Sequence, residues 1–424
     1  MKNKALKRCF TGFIMLYGII PLAAQDTIHI TLPQAESLFL QKNLPLLAEK
    51  YNIDIAKAQV AQAKLFNNPT LTISGNLYDP DQKKIFNISN GNGQYDFAIQ
   101  QLIRLAGKRN KEIKLLETAT ALSDNKFYEL LRTLRYSLRS SFYVIYYLQR
   151  SLSAYDNQVT TLVKLDNAYD SLQLKGIVTL RDALRIRSLL YSLKAEQVTL
   201  QNQLNDQLAT FQLLLQSDKT YFIAEKEKDA PLASIEQLSL QSLIDTAYAN
   251  RNDLKFLQNS IFYSQQNYIL QKALAKPDLT LGAEFDKRGS FVNNASFLSM
   301  AIDLPFFNRN QGNIKAARFN IEQQKILTDQ QKQTVENDVE AAWLRLLNTD
   351  KMLRSLDPAF ETQFQKLLEG ITDNFQKKNI SLVEFADFCE SYKNNVLQLN
   401  QLQNERAQAI ESLQFAVGKN LFKN

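Results

Sequence analysis

The second half of this 424-residue chain repeats the first half. The segment at 67–73 matches the segment at 275–281 at an offset of 208 residues, and further on Thr179-Leu180 corresponds to Ser381-Leu382 at an offset of 202. Other positions that recur at the first offset are Leu32, Leu46, Pro69, Leu71 and Thr72, which return as Leu240, Leu254, Pro277, Leu279 and Thr280. A single duplication excludes a solenoid of many short repeats and predicts a pseudo-symmetric chain.

Each repeat contains two segments in which apolar and polar residues alternate. A period of two is typical of strands that have one apolar and one polar face. We expect strands near 70–78 and 95–105 in the first repeat, and near 278–286 and 296–304 in the second. Loops rich in Asn, Gly and Asp separate the two strands of each repeat, which indicates hairpins.

Helices are predicted on both sides of each strand pair. Two shorter helices precede the strands, and residues 107–172 follow them without a proline, which predicts one helix roughly 100 Å long. Its partner in the second repeat is expected over 312–372 if Pro358 only kinks the helix. After each long helix a short polar turn precedes a returning helix. The low content of Gly (12) and Pro (9) fits long, uninterrupted helices. The fold class predicted is mainly α with a membrane β-sheet, built from a duplicated helix–strand–strand–helix unit.

Four segments organise the chain. Residues 1–24 carry a basic start, an apolar stretch and a small-residue cleavage site, and are predicted to be a signal peptide. The first repeat then occupies 25–216 and the second 239–424. The segment 217–238 is rich in Asp, Lys, Glu and Pro and is expected to be a surface connection with a short strand near 221–224.

Composition excludes several functions. Four of the basic residues that give the formal charge of +7 lie in the leader, so the remainder is too weakly basic to indicate nucleic-acid binding. After the leader the chain keeps one cysteine, Cys389, and one histidine, His29, so neither an intramolecular disulfide nor a soft-metal site is expected. No catalytic set or cofactor motif is present, and we predict neither an enzyme nor a cofactor. His29 is expected to be a mobile N-terminal residue, and Asp166 is expected to face solvent.

The predicted sheet cannot close within one chain. Four strands with one apolar face leave two unpaired edges, which is hazardous in water and not viable in lipid. Known membrane barrels begin at about eight strands, so two chains would supply eight strands and three would supply twelve. The physical expectation is an oligomeric membrane barrel continued by a long helical tube.

Several local patterns resemble the TolC family of outer-membrane efflux channels, over essentially the whole chain after the leader. They are the opening segments Leu32-Pro33-Gln34-Ala35 and Asn43-Leu44-Pro45-Leu46, the strand-to-helix links Gly107-Lys108-Arg109 and Leu304 to Gly312, and the turns Gly176 to Leu180 and Asn379 to Glu384. The resemblance implies a homotrimer with a twelve-stranded β-barrel and a periplasmic α-helical barrel. It also implies an outer-membrane channel in a tripartite efflux or secretion system, with a periplasmic adaptor (membrane fusion) protein and an inner-membrane transporter as partners.

Three sets of residues are candidates for function. Glu384 and Asp387 open the last helix, three residues apart, and match the acidic residues that ring the periplasmic entrance in the family; the alternative is that they only complement the helix dipole. The candidates for adaptor contact at the turns are Lys175, Gly176, Ile177, Lys378, Asn379 and Ile380. The candidates for the barrel lumen are Gln100 and Arg104, for which the alternative is a strand-end position.

Two further alternatives stay open from the sequence. Lys108, Arg109 and Lys111 either meet lipid phosphates or a rim of the tube, or form an ordinary solvated turn. The chain as a whole is either a channel or a periplasmic coiled-coil scaffold or adaptor without a pore. The four one-faced strands favour the channel, because an adaptor would use small soluble β-domains with two-sided cores.

Overall fold

The computed structural model describes residues 27–89, 91, 93–218, 221–225, 239–289, 292–357 and 359–422. The predicted signal peptide at 1–24 lies outside these residues, as does most of the predicted connection at 217–238.

The first repeat follows the predicted order of helices and strands, after a short strand β1 at Thr27–Thr31. Its helices are α1 (Leu32–Lys42), α2 (Leu44–Ala63), α3 (Lys108–Leu174) and α4 (Leu180–Leu215), and its main strands are β2 (Thr70–Gly75) and β5 (Tyr95–Ile103). Between those strands lies a small hairpin that the sequence did not indicate, made of β3 (Tyr78–Asp79) and β4 (Lys84–Ile85). Strand β6 (Tyr221–Glu225) follows α4.

The second repeat has the same order of elements with one difference. Its elements are α5 (Leu240–Asn250), α6 (Asn252–Leu274), β7 (Leu279–Asp286), β8 (Ala295–Ile302), α7 (Gln311–Arg354), α8 (Phe360–Gln376) and α9 (Leu382–Val417). The condition set for one long helix over 312–372 is not met, because α7 ends at Arg354 and a separate helix, α8, begins at Phe360. Pro358 falls in this interval of the sequence, and a proline removes a helical N–H and clashes with the preceding turn.

The four long strands form one antiparallel sheet in the order β2-β5-β7-β8. In the register across the sheet, Leu71 lies beside Ile99, Ile99 beside Ala283 and Ala283 beside Leu298. Apolar side chains therefore share one face of all four strands. The mainly α architecture with a duplicated helix–strand–strand–helix unit and a four-stranded sheet is confirmed.

A second, parallel pair of strands ties the start of the chain to its middle. β1 pairs with β6, and Ile30 and Phe222 are buried in the core of the first repeat. Nδ1 of His29 lies 2.7 Å from Oε1 of Glu225, so the expectation of a mobile His29 is wrong. Gln149 of α3 holds β6 through its side-chain amide, which donates to the Phe222 carbonyl (2.6 Å) and accepts from the Ala224 N–H (3.0 Å).

The short helices meet the returning helices end to end, once in each repeat. At the junction of α2 and α4, Nδ2 of Asn43 donates to the Leu214 carbonyl at 3.0 Å. At the matching junction of α6 and α9, Nη1 of Arg251 donates to the Ala416 carbonyl at 3.3 Å. Each such pair then runs beside one long helical path, which is α3 in the first repeat and α7 followed by α8 in the second.

Helices and strands follow the same lateral order. α3 packs against α2 and α4 on one side and against α6 and α9 on the other, and α7 packs on the far side of α6 and α9. This order matches β2, β5, β7 and β8. β2 and β8, with the helices that continue them, are consequently the open edges of the described chain.

Candidate functional site

The turn between α3 and α4 is closed by the backbone. Gly176 has φ 69°, a left-handed conformation that favours glycine. Its N–H donates to the Gln173 carbonyl (2.9 Å), and the Ile177 N–H donates to the Leu172 carbonyl (2.9 Å). These two bonds satisfy the last helical carbonyls and leave Lys175, Gly176 and Ile177 exposed.

The turn between α8 and α9 has the same hydrogen bonds with a different residue at the strained position. The Lys378 N–H donates to the Phe375 carbonyl (3.0 Å), and the Asn379 N–H donates to the Asn374 carbonyl (2.9 Å). Lys378 occupies the place of Gly176 and has φ 60°, which is costly for a residue with a Cβ. Lys378 and Asn379 are exposed, whereas Ile380 packs partly against the apolar cluster of the two helical hairpins.

Both returning helices begin with a side-chain cap. Oγ1 of Thr179 accepts from the Asp182 N–H (3.2 Å), and Oγ of Ser381 accepts from the Glu384 N–H (3.2 Å). The Glu384 carboxylate completes a capping box by accepting the Ser381 N–H at 2.8 Å. The hydrogen bonds from the backbone and then the side chain of Ser381 hold the pKa of the Glu384 carboxyl below its usual range.

Glu384 and Asp387 therefore differ in what their carboxylates do. Glu384 is turned toward its own helix end. Asp387 is exposed, one turn further on, and no ion pair or side-chain hydrogen bond engages it among the described residues. Of the two predicted gate residues, Asp387 has the free charge.

Stacked aromatic rings hold the two helical hairpins together close to the turns. Phe375 of α8 stacks on Phe385 of α9 with ring centroids 4.3 Å apart and planes 8° apart. Phe375 also stacks on Tyr169 of α3 with centroids 5.7 Å apart. The structure thus brings the flanks of the two predicted adaptor-contact turns side by side.

Ionic contacts tie the helices near the same end. Arg187 of α4 lies 3.2 Å from Asp166 and also contacts Asp170, both on α3. The expectation that Asp166 faces solvent is wrong, because its side chain is 15% exposed and paired. The signal that could have found this pair is symmetry about the turn, since Asp166 and Arg187 lie nearly equal distances before and after Gly176.

One carboxylate links three helices across the repeats. Oε2 of Glu196 on α4 accepts from the Tyr155 hydroxyl of α3 (2.9 Å) and from Nζ of Lys393 on α9 (2.8 Å). Burial, and then the hydrogen bond to Glu196, raises the pKa of Tyr155 well above its usual range, so the hydroxyl stays a donor. Nothing in the sequence pattern indicated this contact, because it joins residues 197 positions apart.

A groove of about 530 Å³ lies between α3, α8 and α9, near the turns. Cys389 lines it beside Gln158, whose Nε2 donates to the Cys389 carbonyl at 3.2 Å. Burial raises the pKa of the Cys389 thiol to about 12, so this sulfur stays protonated and is a poor nucleophile and metal ligand.

Of the two predicted lumen residues, only Gln100 lies within the sheet. Gln100 lies on the polar face, in register with Thr70 and Gly282. A Cβ at Gly282 would clash with Oγ of Ser299 and lie 3.3 Å from Cγ of Gln100, so this glycine leaves room for these two neighbouring side chains. Arg104 lies beyond the end of β5, and its Nη1 is 2.6 Å from Oε2 of Glu112 in α3.

The opposite face of the sheet is apolar and uncovered. Leu71, Ile73, Leu298 and Met300 are 63%, 64%, 92% and 69% exposed. A face of this kind is unstable in water without a covering layer.

The comparisons with known proteins point to one family. A family model described as outer membrane efflux protein matches residues 243–419. A membrane protein from Pseudomonas aeruginosa has a similar structure, with a TM-score of 0.73 and 15% identity over 92% of this chain and 90% of the relative. The CmeC outer membrane channel of Campylobacter jejuni matches with a TM-score of 0.71 and 13% identity, over 92% of this chain and 87% of CmeC.

The resemblance to the TolC family is confirmed. The outer membrane protein VceC from Vibrio cholerae matches with a TM-score of 0.68 and 15% identity, over 92% of this chain and 97% of VceC. No curated protein matches the chain. None of the helices in the described part of the chain combines the length and apolar character that crossing a bilayer requires.

Proposed function

We propose that this TolC-like chain forms the outer-membrane channel of a tripartite efflux or secretion system. Substrates delivered by an inner-membrane transporter and a periplasmic adaptor would pass through it without chemical change, so the chain acts as a passive conduit and not as an enzyme. The observation that carries the proposal is the four-stranded sheet with one uncovered apolar face, continued by helices in the same lateral order. As part of the same proposal, the chain consists of a signal peptide at 1–24, a first repeat at 25–216, a connecting segment at 217–238 and a second repeat at 239–424.

The uncovered face fits lipid. Leu298 at 92% exposure and Met300 at 69% lie on β8, and Leu71 and Ile73 lie on β2, so the apolar surface reaches both edges of the sheet. Three of the four strands have eight or nine residues and approach the length that a tilted strand needs to cross the hydrocarbon core, whereas β2 has six. A periplasmic scaffold without a pore has no use for this surface, which disfavours that alternative.

The two open edges fit closure with other copies. β2 and β8 have unpaired backbone groups along their outer sides, and such groups need partners in lipid. Pairing of β8 with β2 of the next copy closes a ring, and three copies give twelve strands. The helices at the same edges would continue this ring as an α-helical barrel in the periplasm.

The turns support adaptor contact as part of the proposal. Lys175, Gly176 and Ile177 lie beside Lys378 and Asn379 at the end of the molecule farthest from the sheet, and all five are exposed. Ile177 is an apolar side chain at 53% exposure, which an adaptor helix could cover. Ile380 anchors the second turn by packing against the apolar cluster that contains Phe375 and Phe385.

The entrance acids give a selectivity proposal. Three copies would place three Asp387 carboxylates around one axis, and a ring of like charges attracts cations. Glu384 has a lowered pKa and therefore keeps its negative charge, although its carboxylate is committed to Ser381. We propose that Asp387 is the principal selectivity residue and that Glu384 mainly fixes the start of α9.

The experiment that tests the channel is conductance in a planar bilayer with a matched pair of variants. Leu298→Arg puts a charge on the apolar face, where it opposes insertion by about 2–4 kcal/mol at the bilayer midplane. Thr72→Arg puts the same charge on the polar face. We expect wild type and Thr72→Arg to insert and conduct and Leu298→Arg to fail. A water-soluble wild-type monomer without conductance would refute the channel.

A further inference from the structure

A belt of basic and aromatic residues surrounds the junction of sheet and helices. All four junctions lie at one end of the sheet, because β2 and β7 begin there and β5 and β8 end there. We define the junction belt as residues 64–69, 104–114, 275–278 and 303–315.

Positive charge is concentrated in the junction belt. It contains nine basic and three acidic residues, whereas the loops at the opposite end of the sheet, 76–94 and 287–294, contain four basic and two acidic residues. Two of the three acids are already neutralised, since Glu112 pairs with Arg104 (2.6 Å) and Asp278 with Lys108 (2.7 Å). The remaining basic residues are Lys64, Arg109, Lys111, Lys114, Lys276, Arg309 and Lys315.

Exposed aromatic side chains lie in the same belt. Phe66, Phe306 and Phe307 are 79%, 66% and 96% exposed. Phe66 precedes edge strand β2, and Phe306 and Phe307 follow edge strand β8. Aromatic residues at this level are typical of the border between hydrocarbon and headgroups.

Two arginines in the belt have unused hydrogen-bonding capacity. The Arg109 guanidinium carbon lies 3.9 Å from the centroid of the Phe66 ring. Its Nη1 is buried and has no hydrogen-bond acceptor among the described residues. Nε of Arg309 donates to the Phe306 carbonyl at 3.2 Å. Each arginine is therefore held beside an exposed phenylalanine. Arg309 is exposed and offers its guanidinium to phosphate oxygens as it stands, whereas the buried Nη1 of Arg109 reaches a phosphate only when its guanidinium turns outward.

We propose that the junction belt binds the phosphate groups of anionic phospholipids in the membrane leaflet that faces the helices. The inference rests on the proposed membrane location of the sheet. The phenylalanines enter the acyl border, and the arginines and lysines engage the phosphates above it. A soluble phosphate alone would use the cations and leave the three exposed rings without an apolar environment, so the lipid is the favoured occupant.

The test uses purified full chain in a nonionic detergent and follows its melting midpoint. Diheptanoyl phosphatidylglycerol, diheptanoyl phosphatidylcholine and inorganic phosphate are titrated in parallel. We expect phosphatidylglycerol to raise the midpoint, less so at high salt, and the other two to have little effect. Arg109→Gln with Arg309→Gln should weaken the apparent affinity for phosphatidylglycerol by about fivefold per arginine.

The matched control is Arg181→Gln with Arg185→Gln, two exposed arginines on α4 near the far turn. It removes the same charge and should leave the phosphatidylglycerol response unchanged. An equal response to phosphatidylcholine, an equal response to inorganic phosphate, or an equal loss in the control pair would each overturn the proposal.

Conductance in a phosphatidylcholine bilayer separates this proposal from the channel itself. A chain that conducts there and does not discriminate between the lipids keeps the proposed function and loses the lipid site. A chain that fails to conduct loses the proposed function whatever its lipid response.

Discussion

The two repeats build the same joint between a short helix and a returning helix with different chemistry. In the first repeat, Asn43 is buried and neutral; its Oδ1 accepts from the Leu46 N–H (3.1 Å) and its Nδ2 donates to the Leu214 carbonyl. In the second, Arg251 is 3% exposed and binds Asp253 (2.5 Å), Asp338 (2.9 Å) and the Ala416 carbonyl.

The difference shows that duplication preserved the geometry and changed the connectivity. The Asn43 joint stays within its own repeat. The Arg251 joint reaches the other repeat, because Asp253 also lies 3.7 Å from Nη2 of Arg132 on α3. Arg132 in turn donates to the Phe415 carbonyl and has its guanidinium carbon 3.9 Å from the Phe415 ring centroid. The charged joint therefore fastens the two repeats to each other.

The largest expected effect comes from removing the charged joint. Arg251→Ala leaves the partly buried Asp253 without its main partner and the Ala416 carbonyl unpaired, which should lower the free energy of unfolding by about 3–5 kcal/mol. Asn43→Ala removes a cap and one buried hydrogen bond and should cost about 1–2 kcal/mol. Chemical denaturation followed by circular dichroism measures both, and equal losses would contradict the distinction drawn between the joints.

The charged joint should also make the stability of the fold depend on pH in the acidic range. Burial alone would raise the pKa of Asp253, but hydrogen bonding to Arg251 and the charges of Arg251 and Arg132 outweigh it, and the pKa lies below its usual range. A lowered pKa in the folded state gives stability that is present above the unfolded value of about 4 and is lost as pH falls through the folded value. We expect the melting midpoint to fall more steeply below about pH 4 in wild type than in Arg251→Met. Asn43→Ala should keep the wild-type slope.

The two turns give a smaller and opposite pair of effects. Gly176→Ala places a Cβ in a left-handed conformation and should destabilise its turn by about 1–2 kcal/mol. Lys378→Gly removes the same strain and should stabilise the second turn by up to about 1 kcal/mol. Hydrogen exchange at the amides of Ile177 and Asn379 reports each turn separately. If both variants shift exchange in the same direction, the two turns do not share the strained geometry.

The smallest expected effect concerns charge at the entrance. Positions matched by the offset of 202 residues carry Arg185 in the first repeat and Asp387 in the second. Asp387→Asn should lower the cation-to-anion permeability ratio about twofold, and Arg185→Gln should raise it by a similar factor. Glu384→Gln should change the ratio less, since its carboxylate binds Ser381. Reversal potentials in a salt gradient measure all three, and an unchanged ratio in Asp387→Asn would remove the selectivity proposal.

Periodicity in the sequence predicted the elements whose signal is local and long. The 67-residue helix α3 and the four long strands follow from spacing that repeats over many residues. The β1–β6 pair was only half anticipated, because a parallel pairing depends on a partner about 194 residues away and leaves little local pattern. The break between α7 and α8 was underestimated, since a proline can either bend a helix or end it and the neighbouring contacts decide between the two.

The sequence predicted where the candidate site residues lie better than it predicted which partners their side chains contact. Spacing placed Glu384 and Asp387 at the start of α9, but it could not show that Glu384 folds back onto Ser381. Likewise, the polar side of β5 was readable at Gln100, whereas Arg104 falls past the end of the strand and pairs with Glu112. Ion pairs such as Lys393 with Glu196 depend on how the two repeats pack, and no single segment encodes them.

The break between Arg354 and Phe360 gives the two long helical paths different bending stiffness. α3 has an unbroken ladder of hydrogen bonds along its whole length, so it resists bending as a single rod. The other path consists of two shorter rods, α7 and α8, and lacks one continuous ladder. α8 is a lever of 17 residues, or about 25 Å, so a rotation of about 10° at its base would displace its tip by about 4 Å. The helix α3 thus resists bending, whereas in the α7–α8 path a small rotation of α8 moves its tip by several ångströms.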